Sequence, residues 1–164
     1  MNIIIHIEIS KNSNIKYEYD HKTNKLICDR ILHTTFSYPF NYGYIPKTLS
    51  DDGDPLDAVV ICDFNLVPNS YILCKVVGVL ETEDENGKDD KIILVPADKV
   101  DLRSKNINNI NNINDITKDR IKHFFKHYKD LEKDKWIKVG NYMNKEKAIN
   151  VINKSLKKYN TSCL

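Results

Sequence analysis

The chain is poor in cysteine and glycine, and it carries no long apolar run. Its four cysteines, Cys28, Cys62, Cys74 and Cys163, lie far apart and form no C-x-x-C pair. Both the paired ligands of a zinc site and the density of a disulfide scaffold are therefore missing. Three of the four sit in apolar, strand-like stretches, where reduced and buried thiols are expected, consistent with a reducing cytoplasm. No apolar run approaches the roughly 20 residues needed to cross a bilayer as a helix. The first eight residues, Met1-Asn2-Ile3-Ile4-Ile5-His6-Ile7-Glu8, lack the basic region and small-residue cleavage site of a signal peptide. Neither charge dominates: 25 Lys and Arg stand against 23 Asp and Glu, for a net +2. Bulk charge thus gives no case for a nucleic-acid partner. G-x-S-x-G, P-loop and G-x-G-x-x-G patterns are absent as well, so nucleophile-elbow, P-loop and dinucleotide chemistries have no support.

What is present suits a folded chain. With 41% hydrophobic and 29% charged residues, 164 residues can bury a core, and their length suits one domain, residues 1–164. Ile3, Ile5, Ile7 and Ile9 alternate with Ile4, His6 and Glu8, which predicts a strand with one apolar face. Ile15–Asp20 and Lys25–Asp29 read as short strands joined by a polar turn, and Phe36–Pro46 is aromatic and rich in turn formers. Ala58–Cys62, Tyr71–Leu80 and Lys91–Val95 are β-branched runs between polar turns. From Asn114 the period changes. Ile121, Phe124, Phe125, Tyr128 and Leu131 fall on one helical face. Trp136–Val139 then predicts a last strand, and Lys145–Tyr159 a second helix with Ala148, Ile149, Ile152 and Leu156 inward. Strands first and helices last argue for α+β, with a closed or nearly closed small barrel flanked by helices. The Asn-Ile triplets of Asn106–Ile113 read as an expanded surface loop.

Two acidic clusters interrupt this pattern. Asp51-Asp52-Gly53-Asp54-Pro55-Leu56-Asp57 places four carboxylates in seven residues, and Glu83-Asp84-Glu85 with Asp89-Asp90-Lys91 forms a second group in a turn. At about 5 Å and an effective dielectric near 20, each carboxylate pair repels by roughly 3 kcal/mol. Converging acids therefore need a positive partner, and all-oxygen donors suit Mg²⁺ or Mn²⁺ rather than zinc. The alternative is a pair of solvated acidic turns. An EF-hand fails, because counting from Asp52 its glycine would fall at Asp57 and its closing glutamate at Asp63. Pro55 restricts Asp54 to extended backbone, which favours a set geometry for Asp52, Asp54 and Asp57.

Basic and phenolic residues supply donors of the kind that phosphate oxygens need. Lys16 and Glu18 project to one face of a strand by the two-residue period, and Arg30 closes the next strand. Tyr38 and Tyr42 lie in the aromatic turn, where a core role is equally open. Tyr128 is carried inward on the first helix, with Lys129 beside it. His123 and His127, four apart on that helix, lack a metalloprotease glutamate and a third ligand, so packing or a subunit contact is expected.

Taken in order, these segments resemble the soluble family I inorganic pyrophosphatases. Asp52-Gly53-Asp54-Pro55-Leu56-Asp57 matches the family signature. Ile7-Glu8-Ile9, Ile15-Lys16-Tyr17-Glu18, Asp29-Arg30, Asn41-Tyr42-Gly43-Tyr44-Ile45, Asp84–Lys91 and His123–Glu132 are similar to the family in order and spacing, covering about Ile5 to Val139. The resemblance implies a five-stranded OB-like barrel with helices beside it, and Mg²⁺-dependent hydrolysis of pyrophosphate to two phosphates, with Mn²⁺ a possible substitute. It implies Asp52, Asp57, Asp84, Asp89 and Glu18 as metal ligands and Asp54 as the general base. Lys16, Arg30, Tyr42, Lys91, Tyr128 and Lys129 are the implied phosphate-binding residues, with Tyr38 and Glu8 in support. A cytoplasmic homo-oligomer is implied, hexamer favoured over dimer, with neither nucleic acid nor membrane as partner. Ser10 stands where the family commonly has proline, and the Asn-Ile stretch is expanded. A related tri- or polyphosphate hydrolase and an OB-like binding module without catalysis are the competing readings.

Overall fold

The computed structural model describes residues 1–163. Strand β1 (Asn2–Ile9) is followed by β2 (Ile15–Asp20), β3 (Lys25–Ile31), β4 (Asn41–Tyr44) and β5 (Asp57–Val60). Then come β6 (Tyr71–Asp84), β7 (Gly87–Lys88), β8 (Lys91–Pro96), helix α1 (Asp115–His127), β9 (Ile137–Met143) and helix α2 (Lys145–Ser162). The fold is α+β, as expected. Strands β1, β4, β5, β8 and β6 pair in that order, and β6 pairs back to β1, closing a ring of strands. Only β5 and β8 run parallel; the other pairs are antiparallel. The β2–β3 hairpin forms a separate two-stranded sheet that packs on β1.

The alternation of β1 sets the inside of the ring. Ile5, Ile7 and Ile9 are fully buried, each removing apolar surface from water at about 25 cal/mol per Å². The polar face is buried too: His6 and Glu8 lie under the hairpin rather than in solvent. Strand β4, hidden in the aromatic turn segment, crosses β1 very closely. A Cβ on Gly43 would come within 1.8 Å of the His6 carbonyl oxygen, so no side chain fits there.

Helix α1 is capped by Asn114, whose side chain accepts the Ile116 N–H, and it buries Ile121, Phe124 and Phe125 against the ring. It ends at His127 with Tyr128 as its C-cap, so the expected inward Leu131 lies beyond the helix and is 66% exposed. Helix α2 begins under an Asn144 cap and packs along β6 through Ala148 and Ile152. Only Cys74 is buried. Cys62 is half-buried, and Cys28 and Cys163 are exposed, because β3 is covered on one face only.

The Asn-Ile stretch is not a plain surface loop. Its three-residue period matches a 3₁₀ turn at Ile110–Asn112. Ile110 and Ile113 are buried and Ile107 packs beside them, while the Asn112 side chain accepts the N–H groups of Asn108 and Asn109. The isoleucines anchor the segment and the asparagines cap it. Ile110→Ala should therefore lower unfolding free energy by about 2–4 kcal/mol, whereas exposed Asn111→Ala should change it by less than about 0.5 kcal/mol. Denaturant melts of the two variants test this, and equal, small effects would return the segment to the surface.

Candidate active site

All twelve residues that the resemblance implies as metal ligands, base and phosphate-binding groups line one cleft of about 360 Å³, whereas Asp51, Glu83 and Asp90 of the acidic clusters are not among its lining. The twelve come from six stretches of chain: Lys16 and Glu18 from β2, Arg30 from β3, and Tyr42 from β4. Asp52, Asp54 and Asp57 come from the loop entering β5; Asp84, Asp89 and Lys91 from the β6–β8 connection; and Tyr128 and Lys129 from the end of α1. Glu8 and Tyr38 line it too.

The first acidic loop is held by its own backbone. The Asp52 carboxylate accepts the Asp54 N–H at 3.0 Å, and the Ser50 N–H donates to the Asp54 carbonyl at 2.8 Å. Gly53 sits at φ 91°, the left-handed backbone that glycine adopts without strain. Thr48 ties the far end, accepting the Leu56 N–H at 2.9 Å. In the second loop the Asp84 carboxylate accepts the Asn86 N–H at 2.9 Å, and the Thr82 hydroxyl donates to the Asp89 carbonyl.

Lys91 joins the two loops. Its ammonium is 2.5 Å from both Asp57 and Asp89, and it lies 5.9 Å from the Tyr42 ring centre and 5.7 Å from that of Phe125. Burial opposes this charge, but Asp57 and Asp89 outweigh it and keep Lys91 protonated well above the ordinary lysine range. The other cations line the same cleft. Lys16 is 3.0 Å from Glu18 and 3.7 Å from Asp29, and Lys129 is 3.6 Å from Asp84. Arg30 pairs with Asp29 at 2.7 Å and with Glu132.

The carboxyls show the opposite stress. Burial, and then Asp57 beside it, push Asp89 up to about 7 even though Lys91 pulls the other way. Burial lifts Glu8 to about 8 against the Tyr19 N–H bound to it at 2.7 Å, with Asp57 and Glu18 adding repulsion. Partial burial and then Asp52 and Asp57 raise Asp54. Burial raises the Tyr38, Tyr42 and Tyr128 hydroxyls well above the ordinary tyrosine range.

Sequence reasoning assigns no role to Asp29, Glu132 or Lys135, and marks Glu85 only as a member of the second acidic cluster. Asp29 and Glu132 orient Arg30, and Lys135 pairs with Glu85 at 3.0 Å on the cleft wall. Glu132 meets Arg30 across 102 positions, which no local pattern signals. Among the described residues, no three His, Cys, Asp or Glu side chains are gathered as a ready-made metal cage. Lys91 is one reason, since its ammonium draws Asp57 and Asp89 onto itself. The donor set nevertheless fits hard divalent cations, because Asp52, Asp57, Asp84, Asp89 and Glu18 all offer oxygen and no cysteine lines the cleft.

Comparison with known proteins agrees with this site. The inorganic pyrophosphatase family model matches residues 5–160. The chain is 50% identical over 157 residues to an inorganic pyrophosphatase of Rickettsia conorii, covering 95% of this chain and 90% of that protein. It is 48% identical over 153 residues to that of Helicobacter pylori, covering 93% and 88%. A solved Helicobacter pylori pyrophosphatase superposes with TM-score 0.95 at 46% identity, covering 97% of this chain and 94% of that one. The Thermus thermophilus structure gives 0.94 at 38% identity, covering 97% and 91%. The chain belongs to the inorganic pyrophosphatase family and is a hydrolytic enzyme.

The raised carboxyls give a sign for pH. The folded state holds the Glu8 and Asp89 protons more tightly than the unfolded chain does, so more protons are bound folded than unfolded above about pH 4. Stability in chelator should therefore fall as pH rises from about 5 to about 8. Glu8→Gln should flatten the upper part of that fall. Thermal midpoints across the range check it, and a midpoint rising with pH would contradict the assignment.

Proposed function

We propose that this cleft hydrolyses inorganic pyrophosphate to two phosphates with Mg²⁺, using an attacking water and no covalent enzyme intermediate. The observation that carries the reading is the meeting, in one cleft, of the acids Glu18, Asp52, Asp54, Asp57, Asp84 and Asp89 with the cations Lys16, Arg30, Lys91 and Lys129 and the hydroxyls of Tyr38, Tyr42 and Tyr128. A diphosphate needs both sets: oxygen donors for its divalent cations, and N–H or O–H donors for its own oxygens.

Asp52, Asp57, Asp84 and Asp89 would hold the cations, with Glu18 contributing. Bound there, divalent cations supply charge neutralisation and acidification of water. The chain's own residues do the rest. Asp54, whose carboxyl is raised by partial burial and then by Asp52 and Asp57, lines the cleft and accepts the proton of the attacking water. Lys16, Arg30, Lys91 and Lys129 offset charge on the phosphate that is attacked and on the one that leaves. Tyr42 and Tyr128, with Tyr38 behind them, stay protonated because burial opposes their ionisation, so they remain hydrogen-bond donors throughout turnover. One domain, a cytoplasmic setting and a homo-oligomer belong to the same reading.

Phosphate release should be fast from pyrophosphate, slow from tripolyphosphate and ATP, and abolished by chelator. No release from pyrophosphate would sink the proposal. Asp54→Asn should lower kcat by at least ~10²-fold, about 2.7 kcal/mol of barrier, with the Mg²⁺ requirement nearly unchanged; near-normal turnover would remove Asp54 as the base. Asp57→Asn should instead raise the Mg²⁺ concentration needed for half-maximal rate, and an unchanged requirement would count against its ligand role.

A further inference from the structure

Several polar groups outside the twelve residues are buried, and among them His6 lies nearest in sequence and contact to the strands that carry the cleft. It is fully buried on the outward face of β1, and the mechanism does not use it. Its Nε2 is 2.7 Å from the Asn69 side-chain oxygen and its Nδ1 is 2.5 Å from the Tyr44 hydroxyl. Because Asn69 presents an acceptor, the ring proton sits on Nε2 and Nδ1 is free to accept from Tyr44. The ring is also a packing centre. Tyr71 stacks on it at 4.4 Å between centres, and Tyr19 and Tyr44 meet it edge-on at 4.8 and 5.0 Å.

Two links run from this ring to the cleft. His6, Tyr44 and Asp57 are successive cross-strand partners on β1, β4 and β5, and Tyr44 itself lines the cleft. The second link is Tyr19 of β2: its ring rests on His6, and its N–H donates to Glu8, two residues along the same face of β1. Lys16 and Glu18 ride on that strand. The β2–β3 hairpin has no ladder to the ring, so such contacts decide where it sits.

We propose that His6, acting with Tyr44, is a positioning pair that seats β2, and hence Lys16, against the pyrophosphate cleft. The Tyr44 hydroxyl has one proton to give. With His6 accepting it, that proton is turned away from the carboxylates of the cleft, and both rings hold a fixed surface for Tyr19. Without the acceptor the hydroxyl is free to turn and the support under Tyr19 is lost. The hydrogen bonds of His6 go to Tyr44 and Asn69, while Asp54 is held by the Asp52 carboxylate and the Ser50 N–H, so the substrate grip loosens with the base still held in place.

This rests on Lys16 being a phosphate ligand, and the experiment separates the two ideas. His6→Phe and Tyr44→Phe keep the ring volumes and remove one partner each. Each should raise KM for pyrophosphate at least about fivefold while kcat changes by less than about twofold. The double variant should be no worse than either single one, since both remove the same contact. Lys16→Ala is the control. If it leaves KM unchanged, the reading of Lys16 fails. If it raises KM while Tyr44→Phe and a folded His6→Phe do not, the positioning pair is overturned. Additive effects in the double variant, or a fall in thermal midpoint with KM unmoved, would equally reduce His6 to core packing.

Discussion

The buried ammonium of Lys91 is the interaction on which the site depends. It sits within 2.5 Å of Asp57 and Asp89, which belong to loops far apart in sequence. The parallel pairing of β5 with β8 brings them together. Ala58 faces Ile92 in that ladder, so the residues just before each, Asp57 and Lys91, open their strands side by side. Asp89 stands two residues ahead of Lys91 and reaches it from the same side. The other strand pairs around the ring are antiparallel, so this junction sits at the one place where two chain directions agree.

That arrangement explains why a chain with a net charge of only +2 can carry so charged a cleft. Carboxylates gathered without cations would repel by several kcal/mol, and the upward shifts of Glu8, Asp54 and Asp89 come from burial first and from that repulsion second. Lys91 relieves part of it from within the fold. What it leaves is a cleft that gains by taking up further positive charge, beside lysines and an arginine that gain by taking up negative charge. A divalent cation together with a diphosphate satisfies both at once, whereas either alone satisfies one side.

Much of this was legible from spacing. The two-residue alternation of Ile3 to Ile9 and the helical face of Ile121, Phe124 and Phe125 predicted elements that fold as read. The twelve cleft residues were named by the resemblance of ordered segments to one family, and the fold brings them to one cleft. The misses share a cause, which is that tertiary contact outvoted local signal. Strand β4 lay unseen in an aromatic turn, since four residues around a glycine have little strand character until β1 and β5 flank them. Leu131 kept helical phase on paper but fell past the cap at Tyr128. Ile110 and Ile113 looked like decoration between asparagines, and became core because a 3₁₀ turn shares their period. Glu132 carried no signal because its partner Arg30 is brought to it only by the fold.

Strand β1 shows how stability and chemistry are kept apart. Its odd positions, Ile5, Ile7 and Ile9, are apolar and fully buried, Ile5 and Ile7 in the core beside α2 and Ile9 in the core beside α1. Its even positions, His6 and Glu8, point out under the hairpin and face Tyr44, Tyr19 and the cleft. Because side chains alternate along most of the strand, with one register shift between Ile7 and Ile9, one backbone can serve both sides. A change at an odd position removes core contacts. A change at His6 or Glu8 instead alters the packing and hydrogen bonding under the hairpin. The same division holds at β8, where Lys91 opens the strand at the cleft and Ile92, Ile93 and Leu94 continue it as buried core. The charged end is thus anchored by apolar residues that cannot reach solvent, and the site gains its rigidity from a ladder that takes no part in the reaction.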